Sequence, residues 1–146
     1  MRLGLDAKLY LDTSATPATP TWSLIGNCKD VTLNLETSEA DVTTRSSNGW
    51  KASAPTLKDA SVDFTMLWDP ADTNFTKLKT AFITRGSVFM AVMDGEIATP
   101  GSQGLIAMMM VSKFTRNEPL VEAMTADVTV KPTYYPAIAP DWELVS

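Results

Sequence analysis

Glu36, Asp63 and Asp127 are the residues whose type and setting invite chemistry, because each is a carboxylate on the polar side of an alternating segment. Paired carboxylates are what glycosidases use as acid and as base or nucleophile. A hydrolase built on Asp63 and Asp127 is the enzyme this sequence allows. The plainer reading is an acidic, solvated sheet face, since the chain is short and no aromatic sugar platform accompanies the acids. The absence of histidine removes the usual general base, the commonest metal ligand and every Ser-His or Cys-His nucleophile pair. Neither a P-loop nor a dinucleotide glycine pattern occurs, and Asp94-Gly95 and Pro100-Gly101 read as turn punctuation. Cys28, the lone cysteine, has no second thiol with which to make a disulfide, metal or redox motif and reads as a small buried filler. Asn74-Phe75-Thr76 matches the glycosylation sequon but falls in a helical pattern, in a chain whose start has no apolar signal core. No catalytic, metal or cofactor site is therefore expected.

The elements that must carry these acids are strands. From Asp30 to Glu36, Val31, Leu33 and Leu35 alternate with Thr32, Asn34 and Glu36, the period of a sheet with one dry and one wet face. Ser61 to Trp68 repeats the pattern with Asp63 and Thr65 on its wet side, and Met124 to Lys131 repeats it with Asp127 and Thr129. Asp6 to Asp12 is a weaker strand, followed by a Thr-, Ala- and Pro-rich loop from Thr13 to Thr21. Ser87 to Asp94 and Gly104 to Arg116 are further strands. Leu105 to Val111 is apolar at consecutive positions, which predicts cover on both faces. Its run Met108-Met109-Met110, with Met90 and Met93, reads as core filling ahead of an adaptable contact surface.

One helix is expected over about 70–85, with Asp69 as its cap, Pro70 in its first turn and Gly86 as its stop. Its stripe would be Ala71, Phe75, Leu78 and Phe82, with Asp72, Thr76, Lys77 and Thr80 facing away. Residues 132–146 hold Pro132, Pro136 and Pro140 among aromatic residues, an extended tail that should lie against something. Strands, helix, strands without βαβ alternation give a mainly β fold: an antiparallel sandwich or open barrel with one flanking helix, forming a single domain over 1–146.

The stretch "ADVTTRSSNGWKASAP" separates two good strands and has no period of its own, so a long loop is expected at about 40–57. Trp50 stands in its polar middle beside Arg45, Asn48, Gly49 and Lys51, and a monomer gains little by displaying such an aromatic in water. It either folds back onto its own domain or meets a partner. With 12 basic and 17 acidic residues the net charge is -5, so counterion release cannot drive general binding to nucleic acid. No apolar run is long enough to span a membrane as a helix. The wet strand faces have a third reading besides catalysis and plain solvation. If several subunits joined their sheets into a wide barrel, Thr32, Asn34, Glu36, Asp63, Thr65, Asp127 and Thr129 would line a polar, net-negative channel.

The phrases "GLDAKLYLDT", "TWSLIGNCKDVTLNLETSEADVTTRSSNGWKASAPTLKDASVDFTMLWD" and "GSVFMAVMDG", with a short helix before the last, resemble the tail tube proteins of long-tailed bacteriophages and gene transfer agents. The likeness covers most of the chain, and the segment from Asp41 to Val62 looks most like the family's long loop and following strand. The tail after Lys131 carries no assignment. The family is similar in fold to the tubes of contractile tails and of type VI secretion. The resemblance implies hexameric rings whose inner strands join into one barrel and which stack into a conduit for DNA. It implies that the loop carrying Arg45, Asn48, Gly49, Trp50 and Lys51 contacts neighbouring copies, with Trp50 as an anchor between rings and Arg45 and Lys51 pairing with acidic surface there. Implied partners are further copies of the chain, a tail-tip or baseplate initiator, a tape-measure protein and a tail terminator, with DNA passing without specific binding. The implied location is the virion tail, after assembly in the host cytoplasm. A different class remains open: a carbohydrate-binding or capsid-decorating sandwich whose platform is Trp50, Tyr134, Tyr135 and Trp142.

Overall fold

A computed structural model describes residue 1, residues 3–14 and residues 18–146; part of the loop expected from Thr13 to Thr21 lies outside them. In chain order the elements are β1 (Lys8–Asp12), β2 (Trp22–Leu24), β3 (Cys28–Asp41), β4 (Ser53–Leu67), α1 (Thr73–Thr84), β5 (Ser87–Met93), β6 (Gln103–Asn117), β7 (Thr125–Pro132) and β8 (Asp141–Leu144). Among the described residues the strands form one antiparallel sheet in the order β2-β1-β5-β6-β7-β4-β3, with β8 added to β6. The sheet does not close, because β2 and β3 at its two ends do not pair. The mainly β, one-helix fold read from the sequence is the fold observed.

β6 belongs to both halves of this sheet. Gly104 to Met110 pair with β5 and Gln103 to Ile106 with β8, whereas Met109 to Asn117 pair with β7 across a bulge between Val111 and Lys113. The close pairing at its start needs a glycine: a Cβ on Gly104 would overlap the Val92 carbonyl and come within 2.8 Å of Met93 Cα. Between the halves lies the core, where Leu9, Leu11, Met90, Val92, Leu105 and Met109 from one side meet Val62, Phe64, Met66, Val128 and Val130 from the other. Burying each such side chain is worth about 1.5–3 kcal/mol, so this cluster dominates stability. The second face of β6 is covered too, as its apolar run requires. There Tyr10, Ala91 and Met93 pack with Trp22, Ile97, Ile106 and Val145. Met90, Met93, Met108 and Met109 are all buried and only Met110 of the triplet is exposed, so core filling is the reading that holds.

The helix departs from expectation at both ends. Asp69 does not cap it: its carboxylate accepts from Ala71 N–H at 3.1 Å and its carbonyl from Asp72 N–H at 3.1 Å, so Asp69-Pro70 makes a preceding turn. Asp72 is the cap, accepting from Asn74 N–H at 3.3 Å. At the other end Arg85, not Gly86, takes the left-handed conformation at φ 58°, while Gly86 N–H bonds Ala81 O at 2.9 Å. The buried residues of the helix are Asn74, Phe75, Leu78 and Ala81, so Phe75 and Leu78 hold the expected stripe while Asn74 and Ala81 replace Ala71 and Phe82. Ala71 is exposed outside the helix, and Phe82 lies at the rim with its ring stacked on Phe114 at 6.3 Å. Asn74 is only 5% exposed and its amide donates to Ser23 Oγ and Leu24 O, both at 3.2 Å, so the sequon is structural.

Candidate functional site: the polar sheet face and the arm

β3, β4, β7 and the second half of β6 present one continuous polar face. Register fixes its membership: Thr32 lies opposite Asp63, Asp63 opposite Thr129, and Thr65 opposite Asp127, which faces Thr115 on β6. Side-chain hydrogen bonds run across it. Asp63 accepts from Thr129 Oγ1 at 2.6 Å and from Asn34 Nδ2 at 3.1 Å, and Asn34 Nδ2 also reaches Ser61 Oγ at 3.3 Å. Asp127 accepts from Thr65 Oγ1 at 2.9 Å and from Asn117 Nδ2 at 2.8 Å. All four carboxylate oxygens of Asp63 and Asp127 thus have donors on neighbouring strands. Asn117, then Thr65, hold the Asp127 carboxyl below the ordinary aspartate range, with the positive charge of Lys113 adding to the effect. That favours the ionised form, the reverse of what a glycosidase general acid requires.

The structure brings Thr32, Asn34, Asp63, Thr65, Asp127 and Thr129 together as the spacing predicts, and places Glu36 farther along β3. There Glu36 lies directly opposite Asp59, a like-charged pair that costs stability in the free chain. Asp59, Asn117 and Lys113 are members of this face that the alternation alone did not single out. Among the described residues no group of three or more His, Cys, Asp or Glu is placed to hold a metal ion. None of their helices is long and apolar enough to cross a membrane.

Beyond Val62, β4 loses β7 as a neighbour, and Ser53 to Ala60 pair with β3 alone. This free hairpin is about 25 Å long at ~3.3 Å per residue. The stretch expected as a loop over 40–57 is therefore mostly strand, since β3 runs to Asp41 and β4 begins at Ser53. What remains, 42–52, is held by local bonds. Thr43 lowers the Asp41 pKa through its side chain and its N–H, which bonds Asp41 Oδ1 at 2.9 Å. Thr43 Oγ1 also pairs with both Ala52 N–H at 2.8 Å and Ala52 O at 3.2 Å. Arg45–Ser47 forms one 3₁₀ turn, and Asn48 and Gly49 follow with φ of 53° and 82°. Trp50 N–H closes on Ser47 O at 3.0 Å, giving the left-handed Asn-Gly turn that suits the twist of a hairpin. Trp50 does not fold back: it is 78% exposed, and Arg45, Asn48 and Lys51 are exposed with it.

Three aromatics of the binding-platform reading, Trp50, Tyr135 and Trp142, do not share one surface. Trp50 is at the arm, Tyr135 lines the cleft beside α1 and β5, and Trp142 of β8 donates from Nε1 to Gln103 Oε1 at 3.0 Å. Cys28, expected as a buried filler, is only half-buried at the edge of the core, with Sγ donating to Ile25 O at 3.2 Å and desolvation raising its pKa.

No protein-family model and no curated protein sequence matches the chain. Solved structures do match it, from end to end. A chain in the tail of an empty gene transfer agent particle, refined helically with C6 symmetry, is 15% identical with a TM-score of 0.75, covering 100% of both chains. A chain from the virion of a native gene transfer agent particle is 16% identical with a TM-score of 0.74, over 98% of this chain and 99% of that one. The SPP1 tail tube gives 11% identity and a TM-score of 0.77, over 100% of this chain and 81% of that one. The fold is that of tail tube subunits. In this tail tube fold the long β3–β4 hairpin runs from the polar face, where β7 and β6 complete it, out into the arm, so the two share two strands.

Proposed function

We propose that the chain is a structural tail tube subunit whose copies form hexameric rings, stacked into a hollow conduit through which DNA is delivered into a host cell. The observation that carries this is the end-to-end likeness to subunits of tails, one of them with C6 symmetry. Two features of the sheet support it. Among the described residues the half-sheet β6-β7-β4-β3 has two unpaired edges, the 14 residues of β3 at one side and the second half of β6, which β5 does not reach, at the other. Edges of this kind invite pairing with another copy, and joining them around a ring produces a barrel without free edges. The polar face then turns inward, with Thr32, Asn34, Glu36, Asp63, Thr65, Asp127 and Thr129 in the wall. Negative charge there discourages adsorption of phosphates, and a wall without base-reading contacts lets DNA slide. The work is geometric, and no catalytic group is assigned.

On this reading the arm residues Arg45, Asn48, Gly49, Trp50 and Lys51 make contacts between copies, supported by the exposure of Trp50 on a hairpin that is marginal by itself. A tail-tip or baseplate initiator, a tape-measure protein and a terminator set where stacking starts and stops, and the assembled protein resides in the virion tail.

The test is negative-stain electron microscopy of the purified protein across concentration, beside Trp50→Ala. Rings and hollow tubes are expected, with stacking weakened in the variant. Persistent compact monomers that bind glycans would overturn the proposal.

A further inference from the structure

The two ends of the half-sheet are unlike. At one end is the arm loop 42–52, and at the other, beyond Leu67 of β4, is the connection between β6 and β7, residues 118–124. Asn117 and Leu67 both pair with Thr125, which fixes that connection at the far end of β4 from the arm. The 15 residues of β4 separate the two by about 45 Å at ~3.3 Å per residue. Within one subunit they cannot touch.

They are nonetheless complementary. Residues 42–52 contain Arg45 and Lys51 and no acid, whereas residues 118–124 contain Glu118 and Glu122 and no base. Each end also displays apolar side chains that the subunit leaves in water: Trp50 at 78% on the arm, and Leu120 at 101% and Val121 at 90% on the connection. Pro119 precedes Leu120 and restricts the backbone that presents the pair. Glu118 is partly committed to Arg116, at 2.8 Å from its Nε, which leaves Glu122 as the acid to meet an incoming cation.

Resting on the stacked-ring reading, we infer that the Leu120-Val121 connection, flanked by Glu118 and Glu122, is the docking site for the Trp50 arm of a second copy in the next ring. Head-to-tail contact of this kind uses two different patches and propagates as a column. The indole covers Leu120 and Val121, and Lys51 and Arg45 meet Glu122 and the remaining face of Glu118. The aromatic contact supplies the affinity, while the charges set the register and discourage arm-to-arm encounters.

Two measurements on the full chain test this. In a Cys28→Ser background, Trp50→Cys combined with Val121→Cys should give, on mild oxidation of tubes, a ladder of covalent dimers, trimers and higher columns that collapses on reduction. Neither single cysteine should give a ladder beyond dimers. Separately, Lys51→Glu and Glu122→Lys should each raise the concentration needed to pellet tubes by about tenfold, and the double reversal should restore it. These positions are exposed, so urea midpoints of the free variants should match the parent and exclude misfolding as the cause. Tubes that form with neither ladder nor charge rescue would overturn the docking pair while leaving the conduit standing. A parent chain that assembles at no concentration, with no ladder from the paired cysteines, would overturn both.

Discussion

β4 is one strand with two characters. From Ser61 to Leu67 it alternates half-buried Asp63 and Thr65 with buried Val62, Phe64 and Met66, between β3 and β7. From Ser53 to Ala60 its strand partner among the described residues is β3 alone, and Leu57 is 75% exposed. The same backbone geometry therefore serves a body whose stability comes from burial and an arm that contributes little until something covers it. Residues in the first half should be read for folding and those in the second for assembly.

Phe64→Ala against Leu57→Ala is the sharpest way to break that comparison. The first should cost about 3–5 kcal/mol in urea unfolding. The second should stay within about 0.5 kcal/mol in the free subunit. Equal costs would mean that the arm is packed in the monomer. Within the arm, Gly49→Val places a β-branched residue at φ 82° and should cost about 1–2 kcal/mol of local hairpin order, seen as faster amide exchange at Val42 and Trp50 with an unchanged urea midpoint.

Acid titration sharpens the body side. Asp127 has a folded pKa below its unfolded one, so its stabilisation is present above the ordinary aspartate value and is lost as pH falls through the folded value. Stability of the parent should decline below about pH 4, and Asp127→Asn should decline less steeply there. At pH 7 the variant should be weaker by less than about 1 kcal/mol, because the group is partly solvated. The smallest effect belongs where body meets arm. Removing the Glu36–Asp59 repulsion by Glu36→Gln should stabilise the free subunit by roughly 0.2–0.5 kcal/mol, read as a slight rise in Tm.

What the sequence revealed follows the same division. A period of two is visible only where one face is dry, so Val62 to Met66 and Ala126 to Val130 were legible as strands and carried Asp63, Thr65, Asp127 and Thr129 onto one face. Thr37 to Asp41 and Ser53 to Asp59 have no buried residue on either face, and their strand character left no such trace. Asn48-Gly49 was the available signal there, since that dipeptide in a left-handed turn marks a hairpin. The helix start was ambiguous because Asp69 and Asp72 are both good caps; with Asp72 as the cap, Ala71 falls outside the helix, while Phe75 and Leu78 stay on its buried side. β2 and β8 are too short to show a period; β8 gives the proline-rich tail the support its aromatic residues implied.

Both oxygens of Asp63 and both of Asp127 are held by Thr129, Asn34, Thr65 and Asn117, and this has a mechanical meaning in the proposed conduit. A charge held by a donor on each oxygen has its side chain fixed against the wall, and its remaining lone pairs are left to water. Such a surface repels phosphates at long range and offers fixed, hydrated side chains at short range. Drag on the moving strand would then be set by the water layer between wall and DNA rather than by bonds made and broken at each step.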